Sequence, residues 1–154
     1  MKFPLRGYRS PSPIPSLGGA TIRCKPVIPI TVIGPRSQET PQVLVDPGSD
    51  DIVFPSALAQ RIGVNLAGAP QRQSQGVGTS QPVPIFYAPV ILLLSDNVQT
   101  VRWRATVGFV SVKLRFSLFG IAGGLQYFRM TLDGLRELEL IPDASLPVTQ
   151  DPVP

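Results

Sequence analysis

The chain has 154 residues, a length typical of one domain, and 43% of them are hydrophobic, enough to bury a core. Its 14 glycines and 18 prolines make up 32 of the 154 residues, a share that disfavours a helical bundle and favours many short strands and turns. The net charge of +4 permits contact with an acidic partner. The basic residues form no run, so a basic solvated surface explains them better than a nucleic-acid interface.

Two residue types exclude whole classes of chemistry. The chain has no histidine, which excludes Ser-His-Asp and Cys-His catalysis and histidine-bound metal. Its single cysteine, Cys24, excludes an internal disulfide and a multi-cysteine zinc site. Without a histidine to act as a base, Cys24 is interpreted as an ordinary strand residue. We expect no metal and no cofactor.

The chain begins with a segment, residues 1–19, that is rich in proline, serine and glycine. It is predicted to be an extended arm or a loosely ordered tail. It contains no apolar stretch of the kind that a secretory signal needs, and no apolar run anywhere is long enough to span a membrane. These features predict a cytoplasmic protein without a membrane partner.

Residues 21–33 are rich in isoleucine and valine and are predicted to be a β-segment. Pro26 and Pro29 within it indicate an edge position or a bulge. After a polar turn, residues 43–45 form an apolar run that fits a strand buried on both faces. Asp46 follows directly, and a carboxylate at the mouth of a buried strand is costly unless it is paired or functional.

Residues 54–63 read as a short helix, with Pro55 in its first turn and Gly63 just past its end. The polar residues 67–84 contain a short glycine-rich segment that is typical of a hairpin tip. An ordinary loop is the alternative interpretation of that segment. The segment consists of Gly76, Val77, Gly78 and Thr79.

The second half of the chain is predicted to be mostly strand. Residues 85–94 are strongly apolar, and residues 101–107 alternate, which places Trp103 toward the core and Arg102 and Arg104 toward solvent. Residues 108–116 are also β-prone.

The chain ends with a predicted hairpin and a tail. Asp133 and Gly134 are predicted to be a two-residue type I′ turn. In the strand that follows, Glu137 and Glu139 are expected to be solvated or to lie on an edge. Residues 143–154 are expected to be a mobile tail.

The residues around Asp46 resemble the active-site loop of retropepsin-like aspartic proteases. That family's loop has two hydrophobic residues, then Asp-Thr/Ser-Gly, a small residue and two acids. The chain matches at every position of this pattern but one, where Pro47 replaces Thr or Ser. The matching loop consists of Leu44, Val45, Asp46, Pro47, Gly48, Ser49, Asp50 and Asp51.

Two further matches follow the loop in the order of the family. One is the Phe-Pro, short helix and Ile-Gly of residues 54–63, and the other is a pair of hydrophobic residues before a glycine. In the family, this second signature braces the active-site loop. Its residues here are Leu118, Phe119 and Gly120. Residues 121–128 then resemble a short helix of bacterial members.

The resemblance implies an all-β fold, a retropepsin-like closed β-barrel with one or two short helices, equivalent to half of a pepsin. It covers a domain of residues 20–142, between an arm of residues 1–19 and a tail of residues 143–154. It makes Asp46 the catalytic residue and implies that two groups of residues bind an extended peptide. These are Gly48, Ser49, Asp50 and Asp51 in the loop, and Gly76, Val77, Gly78 and Thr79 in a flap over the substrate. A structural role for Asp50, paired to an arginine, is the alternative.

The family works as a symmetric homodimer in which each chain supplies one aspartate. Two carboxylates about 3 Å apart share one proton, so that one activates water and the other protonates the carbonyl oxygen. This chain has one Asp-x-Gly with an apolar lead-in, so the second aspartate is expected from a second copy in a C2 dimer.

Pro47 supports three alternatives, because the family's Thr or Ser locks the two loops together and proline has neither an N–H nor a hydroxyl. The chain is a weakened protease, a pseudo-protease that binds peptides or proteins, or an active variant. Two further alternatives are a non-catalytic β-barrel that binds a peptide or an anionic partner, and a Ca²⁺ site at the acids of the loop.

Overall fold

The computed structural model of the protein describes residues 1–74 and 81–149. Within them, the regular structure is mostly strand, with a single α-helix, which confirms the all-β prediction. The strands are β1 (Lys2–Pro4), β2 (Arg6–Ile14), β3 (Ala20–Lys25), β4 (Val27–Pro29), β5 (Thr31–Ile33), β6 (Gln38–Glu39), β7 (Gln42–Val45), β8 (Val53–Pro55), β9 (Gln71–Ser74), β10 (Val83–Ser95), β11 (Thr100–Val110), β12 (Ser117–Phe119), β13 (Phe128–Asp133) and β14 (Glu137–Pro142). The α-helix α1 spans Ser56–Ile62, and short 3₁₀ turns span Pro15–Leu17 and Leu125–Tyr127.

The main sheet curls into a half-barrel in the order β4-β7-β12-β8-β11-β10-β5-β6, with β9 paired to β10. Its longest pairing is the antiparallel hairpin of β10 and β11, which runs from Phe86 opposite Phe109 to Ser95 opposite Thr100. Arg102, expected to face solvent, is only partly exposed, and its Nε and Nη2 atoms are buried. From Trp103 onward the alternation predicted for β11 is present, because Trp103, Ala105 and Val107 are buried while Arg104 and Thr106 are exposed. This face of the hairpin forms the wall of the core.

The predicted β-segment of residues 21–33 is divided into β3, β4 and β5, with breaks at Pro26 and Ile30. Proline cannot donate to a sheet ladder, which explains the break at Pro26. β3 lies outside the main sheet and, among the described strands, pairs with β2 alone. β4 and β5 pair with β7 and β10 on different parts of the main sheet.

Residues 1–19 were expected to be either an extended arm or a loosely ordered tail. The first of them are extended, but they pack on the domain and do not form a loose tail. β1 pairs with β14 in a second, three-stranded sheet, and Met1 and Phe3 are buried in the core. β2 and β3 form a separate two-stranded ribbon. The many prolines, serines and glycines of residues 1–19 conceal the buried positions Met1 and Phe3, which are spaced two apart as a strand requires.

The last described residues also pack on the domain, where a mobile tail was expected. Leu146 is buried in the core cluster, and Val148 forms a β-bridge with Trp103. The Thr149 N–H donates to the carbonyl of Arg102 at 3.0 Å. Backbone bonds to β11 therefore hold this segment as far as residue 149.

The hairpin of β13 and β14 differs from the prediction. Asp133 pairs with Glu137, so its loop has three residues and not two. A type I′ turn needs a left-handed backbone at both central residues, and of these only Gly134 has one, at φ 53°. β14 lies between β1 and β13, so Glu137 and Glu139 are on a central strand and not at an edge.

Helix α1 has an apolar stripe that faces the core, with Leu58, Ala59 and Ile62 buried. Pro55 precedes its first turn as the N-cap residue, in an extended conformation, and Gly63 ends it with a left-handed φ of 81°. The carboxylate of Glu39 binds Arg61 in the last turn through two hydrogen bonds of 2.6 and 2.9 Å. No helix of the described chain is long and apolar enough to cross a membrane.

Asp96, at the turn between β10 and β11, joins the main sheet to the three-stranded sheet. Its carboxylate accepts the N–H of Lys2 at 2.9 Å and the N–H groups of Val98 and Gln99 at 3.1 and 2.8 Å. The backbone hydrogen bonds from Gln99 and Lys2 lower the pKa of Asp96 to about 2. The ionised carboxylate therefore stabilises the folded chain.

We expect Asp96→Asn to destabilise the protein at neutral pH and to matter less in acid. Because the folded-state pKa is depressed, the contribution is complete above the unfolded-state pKa of about 4. It is lost as pH falls through about 2. Urea unfolding between pH 7 and pH 2 measures the difference between the two proteins.

Asp50→Asn is the matched control, since the exposed Asp50 carboxylate accepts no hydrogen bond from another described residue. A stability difference for Asp96→Asn that stays constant down to pH 2 would contradict the assignment.

Candidate active site

Asp46 lies at the end of a strand that is buried between two others. β7 pairs with β4 on one side and, in parallel, with β12 on the other, so that Val45 lies opposite Phe119. The Asp46 N–H continues this ladder by donating to the Phe119 carbonyl at 3.1 Å. Asp46 itself is half-buried. The backbone of the candidate catalytic residue is thus fixed by the sheet itself.

The residues after Asp46 form a tight turn. The Ser49 N–H donates to the Asp46 carbonyl at 3.0 Å, which closes a four-residue turn with Pro47 and Gly48 at its centre. The Gly48 N–H donates to Oδ1 of Asp46 at 2.9 Å, so the carboxylate is oriented by the backbone of its own loop. The Ser49 hydroxyl donates to the carbonyl of Asp51 at 2.8 Å and ties down the second half of the loop.

Pro47 suits this turn. Gly48 is outside the left-handed region, so the turn has the type I pattern, in which proline is favoured at the first central position. The hydrogen bond of this turn is donated by Ser49, so the turn needs no N–H at position 47. The side chain of Pro47 is exposed. The replacement of Thr or Ser by proline is therefore compatible with the loop of a single chain, although it removes a hydroxyl and an N–H from the exposed tip.

The segment after β12 contacts the Asp46 loop through backbone atoms. The N–H groups of Ile121 and Ala122 donate to the carbonyls of Ser49 and Asp50 at 3.0 and 2.8 Å. Gly120 is buried beneath them, and a Cβ on it would collide with the Asp51 carbonyl oxygen and lie 2.5 Å from that of Ser49. The three residues of the second predicted signature thus lie directly against the loop.

An aromatic cluster supports this contact from the core side. Trp103 packs edge-on against Phe119 and Phe128, with ring centroids 6.4 and 5.7 Å apart. The Trp103 indole N–H donates to the Gly123 carbonyl at 2.8 Å. Phe119 is completely buried, while Leu118 on the opposite face of β12 is half-buried.

The loop opens into a cleft of about 510 Å³. Its floor is apolar and includes Val53, Ile85, Val110 and Leu118. Its acidic side contains the predicted catalytic residue and the predicted substrate-binding residues of the loop, namely Asp46, Gly48, Ser49, Asp50 and Asp51. An apolar floor bordered by a few polar groups is the usual composition of a ligand-binding cleft.

A β-hairpin borders the opposite side of the cleft. β9 pairs with β10 from Ser74 opposite Val83 to Gln71 opposite Phe86, and Arg72, Gln73 and Ser74 line the cleft. The predicted tip of this hairpin is outside the described residues. The residues concerned are Gly76, Val77, Gly78 and Thr79.

Tyr87 is a cleft residue that the sequence analysis missed. Its hydroxyl donates to Oδ2 of Asp51 at 2.6 Å. Burial, together with the hydrogen bond and negative charge of Asp51, raises the pKa of Tyr87 to about 12. Asp51 is therefore held by Tyr87, while no arginine pairs with Asp50 among the described residues. The sequence pattern around Tyr87 is an ordinary apolar strand and carries no sign of this contact.

The calcium alternative finds no support in the described part of the chain. There, no three Cys, Asp or Glu side chains are arranged to hold a metal ion. Asp51 is bonded to Tyr87 and the Asp46 carboxylate to the loop backbone, so the acids of the loop do not converge on one point.

No protein-family model and no curated protein matches the chain. Among solved structures, the chain is similar to the EIAV protease complexed with the inhibitor HBY-793, at 18% sequence identity and a TM-score of 0.40. The match covers 62% of this chain and 81% of that chain. The all-β fold follows from the strand order described above, independently of this likeness.

Gly120→Ala should destabilise the protein strongly. The added methyl group would displace the Asp46 loop, and over-packing of this kind costs about 1–3 kcal/mol or more. Gly134→Ala is the matched control, because Gly134 has open space around it and only its φ of 53° opposes a side chain. Urea unfolding of the two variants tests the contact, and equal losses of stability would contradict it.

The Tyr87→Phe protein should lose less free energy of unfolding at alkaline pH than the native chain. Because the folded-state pKa of Tyr87 is raised to about 12, its contribution is complete below the ordinary value of 10 and is lost as pH rises through 12. Urea unfolding between pH 8 and the alkaline limit of folding should give a shallower decline for Tyr87→Phe than for the native chain.

Tyr127→Phe, outside the cleft, is the control for this experiment and should keep the native decline. Identical declines for Tyr87→Phe and the native chain would show that the Tyr87–Asp51 bond is absent.

Proposed function

We propose that the protein is an aspartic endopeptidase, in which a water molecule is activated between the Asp46 carboxylates of two chains in a C2 homodimer. The observation that carries the proposal is the position of Asp46. It ends a buried strand, its carboxylate is oriented by the Gly48 N–H, and it borders an apolar cleft. A half-buried carboxylate fixed in this way is suited to acid–base chemistry.

The reaction needs two carboxylates with one proton between them. The ionised one takes a proton from water as the oxygen attacks the peptide carbonyl carbon, and the protonated one donates to the carbonyl oxygen. Collapse of the tetrahedral intermediate breaks the C–N bond as the leaving nitrogen receives a proton. Neither step uses a metal or a histidine.

The second carboxylate is proposed to be Asp46 of a second copy. Asp51 is unsuited to the role, because its carboxylate accepts the Tyr87 hydroxyl at 2.6 Å. Asp50 is exposed, and the turn at Pro47 and Gly48 is exposed as well, so the tip of the loop is accessible to a partner chain. A two-fold axis beside this tip would bring the two Asp46 residues together.

The substrate is proposed to be an extended peptide, with Gly48, Ser49, Asp50 and Asp51 along one side of it. The paired strands β9 and β10 border the opposite side of the cleft, and residues 76–79, which connect them, are proposed to cover the substrate and exclude water. An extended segment fits between a strand-flanked loop and a hairpin because its backbone can bond to both.

A peptide-binding protein without catalysis is the second candidate, and Pro47 favours it. The exposed proline provides neither a hydroxyl nor an N–H with which to lock the two loops of a dimer. A small displacement of catalytic groups costs large factors in rate, whereas the cleft of each chain would be unaffected.

Cleavage of a peptide library between about pH 3 and 7, the range of a carboxyl pair, separates the two candidates. We expect the native chain to cleave, Asp46→Ala to be inactive and Pro47→Thr to be at least as active as the native chain. Activity in Pro47→Thr alone would show an intact scaffold that proline silences. Inactivity of all three would favour the binding protein.

Sedimentation of the same samples checks the dimer. The native chain and Asp46→Ala should both form dimers at micromolar concentration or above. A strict monomer that still cleaves would exclude the mechanism with two Asp46 carboxylates.

A further inference from the structure

A second, smaller cavity of about 110 Å³ lies between the ribbon of β2 and β3 and the loop of residues 111–116. We call it the basic pocket. Four cationic side chains line it together with the polar residues Tyr8 and Ser10. The cations are Arg9, Arg23, Lys25 and Arg115.

Among the described residues, no acidic side chain balances the charge of the basic pocket. Residues 1–38 contain six basic residues and no acidic one. The ion pairs of the described residues involve Met1, Lys2, Arg61 and Arg136, and none of the four cations of the pocket. Burial and the charges of Arg115 and Arg23 lower the pKa of Lys25. An anionic ligand would relieve this repulsion.

Phe116 holds part of the pocket in place. Tyr8 packs edge-on against its ring at 5.1 Å, and Lys25 and Arg115 lie 5.4 and 5.8 Å from the ring centre. Cations that rest on an aromatic ring are restrained before any ligand arrives, which lowers the entropic cost of binding.

The basic pocket adjoins the candidate active site through one short loop. Val112 and Leu114 line the cleft, and the next residue, Arg115, lines the basic pocket. A peptide that leaves the cleft along this loop would meet the four cations within a few residues. The acids of the cleft and the cations of the pocket thus lie on either side of residues 111–116.

We propose that the basic pocket binds acidic side chains of an extended peptide whose neighbouring residues occupy the cleft. This inference rests on the proposed function, in that it names the class of substrate for the same site. The carboxylates would accept charge-assisted hydrogen bonds from the guanidinium groups of Arg9, Arg23 and Arg115.

A peptide fits these features better than a nucleic acid does. The ring of Phe116 is already occupied by Tyr8, Lys25 and Arg115, so it offers little surface for base stacking. The pocket is small, and the cleft beside it contains Asp46, Asp50 and Asp51, which would repel a chain of phosphates. A peptide with apolar residues followed by acids matches both surfaces.

The test measures binding without cleavage, by fluorescence anisotropy with the full chain carrying Asp46→Asn. The probes are a labelled peptide of four apolar residues followed by three glutamates and its twin with three glutamines. We expect the glutamate peptide to bind about tenfold more tightly, as one or two charge-assisted hydrogen bonds would give. Added salt should weaken this preference.

Arg23→Gln and Arg115→Gln should each reduce the preference for glutamate. Lys113→Gln is the matched control, since it removes the same charge from the same loop but Lys113 does not line the pocket. Equal binding of the two peptides, no binding of the glutamate peptide, or an equal loss in Lys113→Gln would overturn the proposal. Tighter binding of a single-stranded oligonucleotide, lost in Arg23→Gln, would also overturn it in favour of a nucleic acid.

The result is separable from the fate of the proposed function. A preference for glutamate that depends on Arg23 and Arg115 would support the basic pocket even where the native chain cleaves nothing. Cleavage that requires Asp46, without a preference for acidic peptides, would support the proposed protease activity and overturn the proposed role of the basic pocket.

Discussion

The position of the Asp46 loop depends on one close backbone contact with Gly120, a position where no side chain fits. Gly120 lies so close to the carbonyl oxygens of Ser49 and Asp51 that a single methyl group would separate the two segments. Because of this proximity, Ile121 and Ala122 can donate their N–H groups to the loop. The position of Asp46 is therefore determined by backbone geometry, which is stiffer than side-chain contacts.

Everything around this contact keeps it rigid. β12 is paired on both sides, with β7 in parallel and with β8, so the strand before Gly120 cannot shift along its axis. The aromatic cluster of Trp103, Phe119 and Phe128 fills the space behind it. The long β10–β11 hairpin carries both Trp103 and Tyr87, and so connects the core to the acids of the cleft.

The sequence predicted the fold well where the local pattern of residue types agreed with the tertiary packing. The alternation in β11, the stripe of α1 and the left-handed end at Gly63 follow directly from the residue types. The proximity of Leu118, Phe119 and Gly120 to Asp46 was accessible only through the resemblance, since more than 70 residues separate the two segments in the sequence.

The sequence-based predictions fail where the structure depends on contacts between residues far apart in the sequence, because the local residue pattern there gives no sign of them. Nothing in residues 1–4 distinguishes a strand of the core from a tail, because the partner strand β14 is at the other end of the domain. The Tyr87–Asp51 bond and the basic pocket have the same origin. Arg9, Lys25 and Arg115 are scattered in the sequence and meet only because the β2–β3 ribbon lies beside the loop of residues 111–116.

Pro47 has a consequence for the entropy of the Asp46 loop. Its ring restricts the unfolded chain to conformations close to those of the native turn, and at compatible positions such a restriction is worth about 0.4–1 kcal/mol. The turn from Asp46 to Ser49 closes with the hydrogen bond expected of that conformation. The loop of a single chain is thus stiffened by covalent structure, so the carboxylate of Asp46 is oriented before any partner or ligand is present.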